Sequence, residues 1–205
     1  MTDVSPDEPI RFYFSFRSPY AWLAAERLED EVGDLGVAVE RLPIYPPSEL
    51  FPNDPTGTPA KARYLAQDVR RLTRERGLSL RFPPSPDTDW SLSHAAALGT
   101  RDDPNGHRLV VEIFRQRFSE GRDLGEDDVI GEAARRAGFD ADAVLAMAHD
   151  DALQEAAAEG WRQGMERDQI FGVPSFVYAG KLYFGQDRMH FLRDAVIRKS
   201  APRSA

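Results

Sequence analysis

The sequence predicts an α/β fold in which both ends of the chain build one mixed sheet and a block of helices is inserted between them. Three observations support this prediction. A strand–helix–strand pattern occupies residues 10–42, a nearly unbroken helical pattern runs from 91 to 169, and a strand–turn–strand–helix pattern follows from 175. A parallel βαβ unit and a terminal ββα unit can share one sheet, so we expect the two ends to fold together.

The N-terminal unit begins with a strand at residues 10–16, where apolar and polar side chains alternate. Ser18-Pro19 is expected to start the next helix, because serine is a good N-cap and proline suits the first helical position. Gly33 or Gly36 is expected to end that helix, and residues 37–42 are typical of a second strand. A strand–helix–strand crossover of this kind is nearly always right-handed.

The middle of the chain is predicted to be helical. Thr58-Pro59 opens a helix by the same cap-and-proline pattern, and Gly77 is expected to close it. Within the later helical block, breaks are predicted at residues 103–106, at Gly121 and at Gly138.

The C-terminal unit is predicted to be a hairpin followed by a helix. Residues 175–178 and 181–184 are typical of short strands, joined by a tight turn at Ala179-Gly180. Residues 185–187 then lead into the last helix.

The order of these elements is the layout of a thioredoxin fold with a large all-helical insertion. On this prediction, residues 1–77 hold the first half of the thioredoxin domain and a connecting helix. Residues 78–168 form the insertion, and residues 169–205 form the second half.

Charge and hydropathy exclude several classes of function. The 205 residues carry a net charge of −8, which argues against binding to the nucleic-acid backbone. No apolar run approaches the roughly 18–20 residues that span a bilayer. The acidic N-terminus lacks the basic stretch and apolar core of a secretory signal, so we expect a cytoplasmic protein.

The absence of cysteine is the most informative feature of the composition. It excludes disulfides, a cysteine nucleophile and thiolate metal sites. The four histidines show no zinc-ligand spacing, so no metal is expected. Any thiol chemistry must therefore use the thiol of a bound small molecule.

Two segments from opposite ends of the chain carry a family resemblance. Residues 12–24 (FYFSFRSPYAWLA), with residues 170–176 (IFGVPSF) and 183–188 (YFGQDR), resemble the 2-hydroxychromene-2-carboxylate isomerases and the kappa-class glutathione transferases. Both belong to the DsbA-like thioredoxin superfamily. A weaker similarity is the spacing of residues 61–64 (KARY) from Asp68 and Arg71.

The resemblance implies a catalytic role for Ser18. Redox relatives place a Cys-x-x-Cys pair where this chain has Ser18-Pro19-Tyr20-Ala21, and without a thiol that stretch cannot exchange disulfides. A serine hydroxyl at the start of a helix is expected to stabilise a bound thiolate, with help from the helix dipole. The alternative is a plain N-cap without chemistry.

The resemblance also implies residues that hold the cofactor, a glutathione-like thiol. Val173-Pro174 corresponds to the cis-proline turn that pairs with the cysteinyl part of the thiol, and an ordinary trans turn is the alternative. Gln186 and Asp187 correspond to the pair that holds the γ-glutamyl end, although Asp187 also suits an N-cap. The remaining predicted contacts are Lys61 and Asn53 to the thiol and Tyr20 to the substrate.

Two positions depart from the family pattern. Ser15 stands where relatives often have Asp, so an acid beneath the site is missing. Arg17 stands where an apolar residue is common, and it either strengthens anion binding or faces solvent. The Arg-rich, Lys-poor composition is typical of GC-rich genomes, and some such bacteria use thiols other than glutathione. The cofactor is therefore expected to be glutathione or another low-molecular-weight thiol such as mycothiol.

By resemblance, the leading function is a thiol-dependent isomerase of the 2-hydroxychromene-2-carboxylate type. The bound thiolate adds reversibly to an unsaturated aromatic or keto acid and leaves unchanged. One alternative is conjugation, in which the thiol stays on an electrophile. The other is a non-catalytic, cysteine-free binding protein of the same fold. The expected partners are the thiol, the small acid and a second copy of the chain in a homodimer.

Overall fold

The computed structural model describes residues 8–45, 58–85 and 87–200. The strands are β1 (Ile10–Phe14), β2 (Val39–Pro43), β3 (Ser175–Tyr178) and β4 (Lys181–Phe184). The helices are α1 (Pro19–Ala25), α2 (Leu28–Val32), α3 (Pro59–Glu75), α4 (Ser91–Gly99), α5 (Gly106–Phe118), α6 (Asp127–Ala137), α7 (Ala141–Ala148), α8 (Asp151–Asp168) and α9 (Met189–Ser200). The predicted fold class is confirmed, because α4 to α8 lie in the chain between the two strand-containing units.

The four strands form one mixed sheet in the order β2-β1-β3-β4. β1 runs parallel to β2, with Ile10 opposite Val39. β3 runs antiparallel to both of its neighbours and pairs Phe176 with Phe12 of β1. The two ends of the chain therefore meet in the centre of the sheet, as the order of elements predicts.

Several predicted helix boundaries are confirmed. Ser18 caps α1 with its side chain, and Pro19 is the first helical residue. Pro59 likewise begins α3. Gly138 ends α6 with φ +89°, a left-handed conformation that side-chain-bearing residues rarely adopt.

The first helix is shorter than predicted. α1 ends at Ala25, and the separate α2 begins at Leu28, before Gly36 closes the segment in the left-handed region. His107 of α5 lies 3.1 Å from the carbonyl oxygen of Ala25, and the guanidinium of Arg115 binds both carboxylate oxygens of Glu26 at 2.9 and 2.8 Å. These contacts from α5 stabilise the chain where α1 ends, and none of them can be read from the local sequence.

The sheet and the inserted helices share one hydrophobic core. Phe12 of β1 stacks on Phe176 of β3 with ring centroids 4.8 Å apart. Phe16, which follows β1, packs against Phe114 of α5 at 4.7 Å. Trp22 of α1 is fully buried in the same cluster. The elements that carry the candidate site are therefore held by continuous packing. In the described ranges, no helix combines the length and apolar character needed to cross a membrane.

The opposite face of the sheet carries an ion pair at the end of α8. Asp168, only 4% exposed, accepts hydrogen bonds from Arg11 at 2.9 and 2.8 Å and one from the hydroxyl of Tyr13. Burial acts to raise the pKa of Asp168, but the hydrogen bonds from Arg11 and Tyr13 outweigh it and hold that pKa below its ordinary value.

We expect Asp168→Asn to lower the free energy of unfolding by about 2 kcal/mol, because charged hydrogen bonds in a largely buried site are lost. Chemical denaturation at pH 7 measures this loss. Glu132→Gln is the matched control, since Glu132 pairs with Arg135 and Arg136 at the exposed surface of α6. It should leave stability unchanged. Equal effects of the two substitutions would contradict a stabilising role of the Asp168 network.

Candidate active site

Ser18 lies where β1 passes into α1. Its backbone N–H donates to the carbonyl oxygen of Ser15 at 3.0 Å, and its hydroxyl oxygen accepts the N–H of Ala21 at 3.2 Å. Because the hydroxyl oxygen serves as the cap acceptor, its proton remains available to a ligand. The backbone N–H of Tyr20 is also available, because it has no acceptor within the described part of the chain. The first turn of α1 thus presents two hydrogen-bond donors.

The Val173-Pro174 peptide bond is cis, as the resemblance implies. β1 and β3 are antiparallel and pair Tyr13 with Ser175, so the residues that follow β1 and the Val173-Pro174 segment that precedes β3 lie at the same end of these two strands. The structure therefore brings Ser18 and Val173-Pro174 to the same edge of the sheet. Among the described residues, Val173 makes no backbone hydrogen bond, which leaves its N–H and C=O open to a ligand.

A glycine connects this turn to the start of the last helical segment. The N–H of Gly185 donates to the carbonyl oxygen of Pro174 at 2.9 Å. Gly185 has φ +103°, and a Cβ there would lie 2.7 Å from a carboxylate oxygen of Asp187. Only glycine suits this position, and it places the Gln186–Arg188 turn next to Pro174.

Gln186 and Asp187 occupy different environments. Gln186 is buried, and its side-chain oxygen accepts a hydrogen bond at 2.5 Å from Arg76, which follows the last residue of α3. Asp187 is exposed and pairs with Arg188. It lies within the short 3-10 turn and does not cap α9, which begins at Met189. Gln186 therefore fastens α3 to this turn, while the carboxylate of Asp187 faces solvent.

Tyr20 joins α1 to α3. Its hydroxyl donates to Asp68 at 2.7 Å. Burial and this hydrogen bond, together with the nearby charges of Asp68 and Asp187, raise the pKa of Tyr20 above its ordinary value. Tyr20 is therefore a neutral phenol. Tyr20 lies two residues after Ser18, so its hydrogen bond to Asp68 places α3 near Ser18, and the charge of Asp187 acts on the same hydroxyl.

The two remaining predicted contacts to the thiol are Lys61 and Asn53. Lys61 is exposed in the first turn of α3. Spacings of three and four residues put it on the same helix face as Tyr64 and Asp68, roughly 10 Å along the axis from Asp68. Asn53 lies outside the described residues, so its predicted contact stays a prediction.

A buried histidine beneath the site was not predicted from the sequence. His94 of α4 has no exposed surface, and its Nε2 lies 3.3 Å from the hydroxyl oxygen of Ser15. Its Nδ1 lies 2.7 Å from the carbonyl oxygen of Trp90. Burial lowers the pKa of His94 to about 4, against the opposing effect of hydrogen bonds to the Trp90 and Ile44 carbonyls. A neutral imidazole thus contacts the residue whose carbonyl holds Ser18.

An exposed aromatic pair was missed as well. Phe171 is 61% exposed and Phe184 is 44% exposed, and their ring centroids lie 4.7 Å apart. Phe171 precedes the Val173-Pro174 turn by two residues, and Phe184 precedes Gly185. The only sequence signal was that both residues lie in the segments that carry the family resemblance.

A family model and a curated relative match nearly the whole chain. A model described as a DSBA-like thioredoxin domain matches residues 9–196. The 2-hydroxychromene-2-carboxylate isomerase of Sphingobium xenophagum is 27% identical over 195 residues, which cover 92% of this chain and 97% of that protein.

Solved structures show the same fold. A structure of 2-hydroxychromene-2-carboxylate isomerase superposes with a TM-score of 0.81 at 22% identity and covers 93% of this chain and 95% of its own. The cytosolic disulfide reductase DsbM from Pseudomonas aeruginosa, solved with GSH, superposes with a TM-score of 0.63 at 18% identity. That match covers 93% of this chain and 100% of the DsbM chain.

Proposed function

Since the chain belongs to the DSBA-like thioredoxin domain family, we propose that it is a thiol-dependent isomerase of the 2-hydroxychromene-2-carboxylate type. One observation carries the proposal. A serine hydroxyl with a proton to donate lies at the same end of the sheet as Val173, whose backbone is unpaired among the described residues, in a chain without cysteine. This is an environment for a sulfur that the protein does not itself supply.

The residues of the site suit a glutathione-like thiol. The N–H and C=O of Val173 offer pairing to a peptide backbone, as an added strand would use them. The exposed carboxylate of Asp187 suits an ammonium group, and the ammonium of Lys61 suits a carboxylate. These groups correspond in charge to the two ends of a γ-glutamyl tripeptide.

Ser18 is expected to provide the largest share of thiolate stabilisation. Lowering a thiol pKa of about 8.5 by two units takes about 2.7 kcal/mol. A hydroxyl hydrogen bond to a charged acceptor provides roughly 1.5–3 kcal/mol. The dipole of α1 contributes less than a long helix would, because α1 has only seven residues.

In the proposed reaction, the residues of the site bind and orient the thiol. When bound, the thiol supplies a nucleophile that adds reversibly to an unsaturated carbon of the substrate and is released unchanged. Ser18 and the N–H of Tyr20 hold negative charge at the sulfur, and Val173 fixes its position relative to the acceptor. Tyr20 stays neutral because its hydroxyl is partly buried and donates to Asp68, and it lines the site as an uncharged side chain.

Calorimetry with glutathione and with mycothiol tests the proposal directly. We expect one of them to bind at micromolar to millimolar concentration and to support isomerisation of 2-hydroxychromene-2-carboxylate without being consumed. Stoichiometric loss of the thiol would show conjugation to an electrophile. Binding of neither thiol by the folded protein would contradict the proposal and favour a non-catalytic binding protein.

A further inference from the structure

Arg17 lies at the edge of the site, and none of the proposed thiol contacts uses its side chain. It directly precedes Ser18, and its backbone N–H donates to the hydroxyl oxygen of Ser15 at 3.4 Å. This contact fixes the position from which the side chain leaves the chain. The side chain is 38% exposed, and its contacts include an ion pair with Asp87 at 3.5 Å.

Asp87 lies on the connection between α3 and α4, where the chain enters the inserted helices. This connection is anchored, because Arg117 of α5 donates to the carbonyl oxygen of Ser85 at 2.9 Å and Thr88 bonds Asp123. The guanidinium of Arg17 therefore extends from the start of α1 toward the insertion. The acceptor substrate is expected on this side, between Ser18 and the inserted helices.

The pair of Arg17 and Asp87 is weak enough to exchange. Asp87 is 70% exposed, and ion pairs between exposed groups contribute little, typically 0–1 kcal/mol. A guanidinium is charged at every physiological pH and binds a carboxylate with two parallel hydrogen bonds. A ligand carboxylate that approaches Ser18 can therefore compete with Asp87 for the guanidinium.

We propose that Arg17 binds the carboxylate of the acceptor and makes the site favour acids over neutral acceptors. This inference rests on the proposed function, because it concerns the acceptor of the same site. It assigns a binding role to one of the two residues at which the sequence departs from the family pattern. Asp87 competes with the acid for the guanidinium.

Calorimetry with salicylate and its neutral analogue salicylamide tests the role of Arg17, with and without glutathione. The full-length protein should bind salicylate at least about tenfold more tightly than salicylamide. Arg17→Gln should abolish this preference, and Arg17→Lys should retain part of it because the charge remains. Asp87→Asn should tighten salicylate binding by about twofold to fivefold.

Arg135→Gln is the matched control, since Arg135 is also an exposed arginine in an ion pair, with the partly exposed Glu132 of α6. It should leave the preference unchanged. Equal binding of the two probes, binding of neither, or a preference that survives Arg17→Gln would overturn the inference. The proposed function fails separately, through loss of thiol binding, which Arg17→Gln should leave within about twofold of the original affinity.

Discussion

Ser18→Ala should lower the rate of isomerisation of 2-hydroxychromene-2-carboxylate by about 100-fold at saturating thiol. The substitution removes a hydrogen bond to a charged acceptor at the reacting sulfur. It also removes the cap of α1, which costs roughly 1 kcal/mol of stability. Steady-state kinetics at 25 °C, with the thiol concentration varied, measure the loss.

Two variants separate the chemical role of Ser18 from its structural role. Ser18→Gly should retain stability to within a few tenths of a kcal/mol, because glycine is a tolerated N-cap, yet lose activity as alanine does. Asp140→Ala removes a similar cap from α7, where Asp140 accepts the N–H groups of Asp142 and Ala143. It should leave turnover unchanged. A folded Ser18→Ala protein with full activity would show that Ser18 is only a cap.

The free energy of unfolding should fall as the pH is lowered from about 6.5 to about 4, in part because of His94. The unfolded chain binds a proton at this residue near pH 6.5, whereas burial delays protonation in the folded protein to about pH 4. The stability is thus fully present above the unfolded pKa and is lost between these two values. The difference in pKa corresponds to about 3 kcal/mol at the acid end.

His94→Gln should reduce the slope of stability against pH in this interval, whatever its effect on absolute stability. The carboxylates and the buried His107 titrate in both proteins, so their contributions cancel in the comparison. A titration of the His94 ring by NMR that shows protonation near pH 6.5 would contradict a buried neutral imidazole.

Local chemistry accounts for most of the fold that could be predicted. The alternation in β1, the proline at the first position of α1 and α3 and the glycine end of α6 all involve neighbours in sequence. The break after Ala25 could not be predicted, because contacts from α5 hold it. Propensity alone favours a longer helix, and tertiary contacts override it here.

In the candidate site, too, features set by local sequence could be predicted and those set by tertiary contacts could not. Ser18 and Val173-Pro174 were predictable from their motifs, and the register of β1 and β3 brings them together. The contact of Ser15 with His94 spans 79 positions, and that of Tyr20 with Asp68 spans 48. Pairs so distant leave no periodic signal in a single sequence, so only the folded chain reveals which polar groups support the site.

A crystal structure with the thiol that binds in calorimetry tests the central claim most directly. We expect its sulfur within hydrogen-bonding distance of the Ser18 hydroxyl and the amide groups of its cysteinyl part paired with the backbone of Val173. A bound thiol whose sulfur lies away from Ser18, or whose amide groups leave Val173 unpaired, would contradict the account.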